Sequence, residues 1–176
     1  QGLEHRLLTP SLALDVVLSN SQRLQKSLID ASDPQASLFI TTNSVLAITG
    51  SANPYSVNLS SLSPYIARVI RFVHVTTGGT RTFIKLVPPD EGEQIQSLTN
   101  NYASSLFGVF EGDSLRLYKG SSFTITIATD TIELKYYRQV IIGSIARTSF
   151  IDLPDSAVGQ LIDMCAGDFQ IRTAVR

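Results

Sequence analysis

The chain has 176 residues with one cysteine, and its 14 Lys and Arg nearly balance 15 Asp and Glu, for a formal net charge of −1. One domain accommodates that length, its core needs no covalent staple, and a single thiol excludes an intramolecular disulfide. The balanced charge argues against the basic face of a nucleic-acid binder, and no apolar run reaches the roughly 18 residues of a membrane span. Charged residues are 16% of the chain and apolar ones 43%, against a usual charged fraction of about 25%. A surface so poor in charge favours a subunit whose apolar faces meet partners over a free monomer.

The opening residues QGLEHRLLTP lack the basic head and apolar core of a signal peptide. Thr9-Pro10 is a helix start, since threonine caps exposed amides and proline suits the first helical position. Leu14, Val17, Leu18, Leu24 and Leu28 recur at helical spacing, which predicts an amphipathic helix over about 10–31. Asp33-Pro34 ends it, because the residue before proline is pushed out of the helical region. The run Ser37–Ile48 fits either a strand pair turning at Thr42-Asn43-Ser44 or a second helix, and its β-branched content leans to strand. Gly50–Pro54 is then a loop, followed by an extended Ser-rich crossing to Pro64.

RVIRFVHV and RTFIKLV, joined by Thr77-Gly78-Gly79-Thr80, predict a hairpin over Arg68–Val87. Strict alternation places Ile70, Phe72 and His74 on one face and Val69, Arg71, Val73 and Val75 on the other. Apolar groups on both faces point to burial against a helix on one side and a further contact on the other. Pro88-Pro89-Asp90 opens a short, peripheral helix over about 89–100, with acids in its first turn. Two strands turning at Glu111-Gly112-Asp113 follow, then two more: Phe123, Ile125 and Ile127 alternating with threonines, and Ile132, Leu134 and Tyr136 alternating with Glu133, Lys135 and Tyr137. Pro154-Asp155 launches a last helix over about 155–172, with Val158, Leu161, Ile162, Cys165 and Phe169 on one stripe. The fold expected is one α+β domain over 1–176, with helices from both chain ends packed as a bundle and a central antiparallel β region over about 37–138, built of hairpins or a small barrel-like sheet.

No motif carries catalysis, a metal or a cofactor. His5, His74 and Cys165 lack ligand spacing, so His74 reads as a strand residue with one satisfied nitrogen and Cys165 as a buried structural thiol. No serine sits in a nucleophile elbow, and Gly78-Gly79 is a turn and not a phosphate loop. Glu91, Glu93, Glu111 and Asp113 lack the spacing of a calcium loop and read as a solvated face. Lys135-Tyr136-Tyr137-Arg138 offers rings beside cations, as single-strand binders use, but neighbouring strand residues point to opposite faces. That places Tyr136 inside and Tyr137 at a rim or subunit contact.

Three segments of the last third, Leu117-Tyr118-Lys119-Gly120, Leu134-Lys135-Tyr136-Tyr137-Arg138, and Leu153-Pro154 with the helix behind it, resemble the head-to-tail adaptor proteins of tailed bacteriophages. The first part is similar in outline: an N-terminal amphipathic helix, then a proline-containing entry to a strand at Ser63-Pro64-Tyr65-Ile66-Ala67-Arg68-Val69. The resemblance implies a non-enzymatic virion protein without cofactors. It would be a homo-oligomeric ring, usually of twelve copies, docked on the portal protein and meeting the next neck or tail protein. DNA would pass through its lumen without sequence-specific binding, and no membrane is involved. Such a ring sits in the virion neck after assembly in the host cytoplasm. Tyr137, Arg138, Arg71 and Phe83 are the expected subunit or partner contacts. Two other readings stay open: another phage tail or baseplate subunit, and a small-ligand-binding or hydrolytic α+β domain.

Overall fold

The computed structural model describes residues 10–62, 66–140 and 153–174. The expectations for Thr9, for Ser63-Pro64-Tyr65 and for most of the loop Gln139–Ile151 lie outside the described residues. Numbered in chain order, the helices are α1 (Pro10–Asp30), α2 (Pro89–Ser97) and α3 (Asp155–Ala174). The strands are β1 (Ile40–Thr49), β2 (Tyr55–Asn58), β3 (Ile66–Val75), β4 (Arg81–Leu86), β5 (Leu106–Glu111), β6 (Ser114–Lys119) and β7 (Thr131–Arg138). The chain forms two compact units, one from residues 1–40 with 139–176 and the other from 41–138.

In the first unit Val16 and Leu24 of α1 bury against Ala157, Leu161 and Cys165 of α3. Within this apolar contact Asn20 is fully buried, and its amide donates to Asp168 at 3.0 Å and more loosely to Cys165 Sγ at 3.8 Å. Its carbonyl accepts from Arg23 at 3.2 Å. A buried amide with partners on both sides fixes how the two helices register, because sliding either one strands a polar group away from water. Burial pushes the Cys165 thiol pKa up, the Asn20 hydrogen bond opposes this, and the Asp168 carboxylate adds to it. α1 ends with Asp33 N–H on Leu28 O (3.0 Å) and Ser32 N–H on Ile29 O (3.1 Å), around Ser32 at φ 54°. That paired pattern is a Schellman stop. Asp33 then caps a short 3-10 turn, Pro34–Phe39, by accepting from Gln35 N–H at 2.8 Å.

The second unit is a closed barrel in the order β1-β2-β6-β5-β4-β3-β7. This overturns the α+β expectation of a helical bundle around an antiparallel region. The sheet is mixed, since β4 and β5 run parallel, with Lys85 opposite Phe107 and Leu86 opposite Gly108. Parallel neighbours cannot be joined by a tight turn, and the connection here is α2 with the short 3-10 turn Thr99–Tyr102. The short polar helix is therefore the crossover that reverses the chain. It docks by Ile95 into Val87, Phe107, Val109 and Tyr118. Gly92 permits the approach, because a Cβ there would fall 2.6 Å from Val109 Cγ2.

Two bulges shape β3. Its pairing with β7 runs Ile66 to Arg138, Arg68 to Tyr137, Val69 to Tyr136 and Arg71 to Lys135, with register shifts between Ile66 and Arg68 and between Val69 and Arg71. Each bulge adds one residue to β3, so Ile66, Val69 and Phe72 all reach the barrel core at intervals of three, while Leu134 and Tyr136 on β7 keep an interval of two. Strict alternation assigned Val69 to the face opposite Phe72, and the bulges correct that. The core they join holds Ile48, Val57, Leu115, Leu117, Ile132 and Leu134, all almost without exposure. Burial pushes the Tyr136 hydroxyl pKa up, and nearby Arg138 offsets part of the shift.

Two further strand expectations change. Residues 37–48 cover the end of the 3-10 turn and nine of the ten residues of β1, not a strand pair or an α-helix. Phe123–Ile127 is not a strand at all. Its expected inward alternation holds only in part: Ile125 is buried and Phe123 lies against the core, but Ile127 is exposed. Its backbone groups bond locally instead of to a ladder: Phe123 N–H reaches Gly120 O at 3.1 Å, Thr129 N–H reaches Thr126 O at 3.0 Å, and Phe123 O accepts from Lys119 Nζ at 2.8 Å.

The turn at Lys119-Gly120 has a steric cause. Gly120 N–H bonds Ser105 O at 3.0 Å, and a Cβ at Gly120 would collide with the Tyr102 and Ala103 carbonyl oxygens. Backbone cannot move aside as a side chain can, so Gly120→Ala is expected to lower the unfolding free energy by about 3 kcal/mol in urea titrations.

Candidate interaction surface

The outer face of β3, β4 and β7 gathers charged and aromatic groups. Val73 faces Phe83 on β4 and Glu133 on β7. Arg71 lies over the Phe83 ring at 5.7 Å, and Glu133 accepts from Arg81 at 2.5 Å with Arg71 at 3.9 Å. Glu133 is buried beneath the two guanidiniums, whereas Phe83 is 68% exposed. The phenyl ring is thus covered by a guanidinium on one side and open to water on the other. Lys135 stands beside Arg71 in register.

Of the residues expected at subunit contacts, Arg71 and Phe83 meet here. Tyr137 and Arg138 lie at the C-terminal end of β7, opposite Arg68 and Ile66, and are half-buried. Arg81 and Glu133 belong to the arrangement and escaped sequence reasoning. The hairpin places Arg81 opposite Val75, but Glu133 comes opposite Val73 only through the long-range β3–β7 pairing, which no local pattern in the sequence signals.

Inside the barrel, His74 and Asp130 form a buried polar pair, Nε2 to Oδ2 at 3.0 Å. The same Oδ2 accepts from Thr126 N–H at 2.8 Å, while His74 Nδ1 is buried without a protein hydrogen-bond partner. Geometrically this is a histidine oriented by a carboxylate. At 1% exposure, however, the ring meets no substrate, and the Phe123 ring packs edge-on at 5.5 Å. The pair is an anchor that ties the irregular segment before β7 to β3. A shallow groove of about 450 Å³ beside β1 is lined by Asn43, Val45, Leu46, Ala47, Asn58 and Ser61, among others, none of them titratable. Among the described residues no three His, Cys, Asp or Glu side chains gather as a metal site.

No protein-family model matches the chain, and no curated protein does.

Replacing Asp130 by alanine leaves His74 and the Thr126 amide buried without their acceptor. Losing one partner of a buried pair costs about 3 kcal/mol, so Asp130→Ala is expected to shift the denaturation midpoint down while far-UV circular dichroism of the folded state is retained.

Proposed function

We propose that this protein is a non-enzymatic structural subunit of a tailed-phage virion, a ring-forming adaptor between the capsid portal and the tail or neck. One observation carries the reading: among the described residues, one of the two apolar stripes of α3 packs on α1 and the other stays exposed. Ala157, Leu161 and Cys165 bury against α1, whereas Val158 and Ile162 are 37% and 61% exposed. These two lie one turn apart, roughly a quarter turn round the helix from the buried stripe. A helix apolar on more than one side is fitted to contacts beyond its own chain. The exposed Phe83 on the barrel points the same way. In a ring each copy offers such surfaces to its neighbours, and repeated heterologous contacts close around an axis, leaving a lumen wide enough for DNA. The mechanism is geometric: matching one ring to the portal and the other side to the next neck protein, without chemistry on either.

Purified protein is expected to form closed rings in negative-stain images, with a solution mass several times that of one chain, alone or on addition of portal protein. Ile162→Glu changes an exposed residue and is expected to leave the midpoint of unfolding within about 0.5 kcal/mol of the parent, yet to reduce the mass to that of small species. A parent chain that stays monomeric at high concentration, with portal protein present, contradicts the assignment.

A further inference from the structure

The near-zero net charge of the chain hides a segregation of charge around the barrel. On the outer face of β4-β3-β7, Arg71, Arg81, Lys85 and Lys135 stand with one carboxylate, Glu133, so four cations less one acid leave three positive charges beside exposed Phe83. On β5 and β6 sits α2, whose sequence PDEGEQIQS carries Asp90, Glu91 and Glu93 and no base. Immediately after it Leu98 is 49% exposed. The first face thus has a net positive charge and α2 a net negative one, each beside an exposed apolar group. Because the barrel is closed, strands β4-β3-β7 and β5-β6 point their outer surfaces in different directions, so one copy cannot bring its own two faces together.

We propose that the Phe83 face of one copy docks on the α2 face of a second copy, as a head-to-tail contact. The inference rests on the assembly reading above and names the surfaces that meet. Phe83 supplies the apolar centre against Leu98, and Arg71, Arg81 and Lys135 face Asp90, Glu91 and Glu93. The Arg71 and Arg81 side chains are already positioned by Glu133, so little side-chain entropy remains to be lost on docking. The contact uses different patches on its two sides, which is the condition for a ring and not for a two-fold dimer. Charge pairing at the rim of such a contact steers encounter and sets register, and salt screens it.

The test uses the full chain in two variants: Phe83→Ser with Lys135→Glu, which reverses the basic face, and Asp90→Lys with Glu93→Lys, which reverses the acidic one. All four positions lie outside the packed cores, and circular dichroism and the unfolding midpoint establish that each variant folds. Sedimentation equilibrium is expected to show each variant associating at least tenfold more weakly than the parent. An equimolar mixture should regain association, because the intact face of each variant meets the intact face of the other. Parent association should also weaken as salt rises from about 50 to about 500 mM. If the parent assembles and both variants assemble equally well, the docking assignment is overturned while the adaptor reading stands. If the parent never assembles, both fall. Salt-sensitive binding of a DNA duplex to the Phe83 face, lost in the first variant and unaccompanied by self-association, also overturns the assignment.

Discussion

The closure of seven strands into a barrel is the constraint on which the second unit depends. A sheet edge leaves rows of amide and carbonyl groups unpaired, and a ring has no edge. Closure here requires β4 to find β5 in parallel, and that requires a crossover in place of a turn. α2 provides it, clamped by Ile95 and by the missing side chain of Gly92. Closure also requires β3 to curve between β4 and β7, and its two bulges supply the bend. The interior is then filled by side chains, with Leu115, Leu117, Ile132 and Leu134 excluded from water.

Polar side chains do the remaining fastening, each by replacing a backbone partner. Asn53 accepts from Lys119 N–H and donates to Lys119 O, both at 3.1 Å, so the loop after β1 continues the ladder at the end of β6. Asp130 holds the Thr126 amide and His74 together, so the segment before β7 needs no strand partner. In the first unit Asn20 sets the helix pair, and Gln25 accepts from Val140 N–H at 3.2 Å. These residues explain why regular elements can be short and still be placed precisely.

Much of the local structure was legible because it follows from nearest-neighbour physics. Period-two patterns and glycine turns located the β3–β4 and β5–β6 hairpins, and proline boundaries marked where α2 and α3 begin. What depended on distant pairing was not legible. Nothing in IARVIRFVHV reveals that β3 bulges twice, since a bulge is set by the curvature of neighbouring strands. TITIA reads as a strand from its alternation, yet its Thr126 amide is taken by a carboxylate and the flanking Phe123 and Thr129 amides by local turns. The parallel β4–β5 pairing is invisible in a peripheral-looking acidic helix. Of the residues gathered on the outer face of β3, β4 and β7, Arg71 and Phe83 were within reach because both stand on one hairpin. Arg81 and Glu133 required the register between strands, which only the folded barrel defines.

The proposed assembly rests on two features, one in each unit: the exposed apolar stripe of α3, and the opposite net charges on separate sides of the barrel. The most direct measurement is zero-length carbodiimide cross-linking of an equimolar mixture of ¹⁴N- and ¹⁵N-labelled chains. The account predicts mixed-isotope links joining the Lys135 amine to a carboxylate of Asp90, Glu91 or Glu93, since that pairing arises only between copies. Links at these residues found solely within single chains, or none in a sample that has assembled, would contradict it.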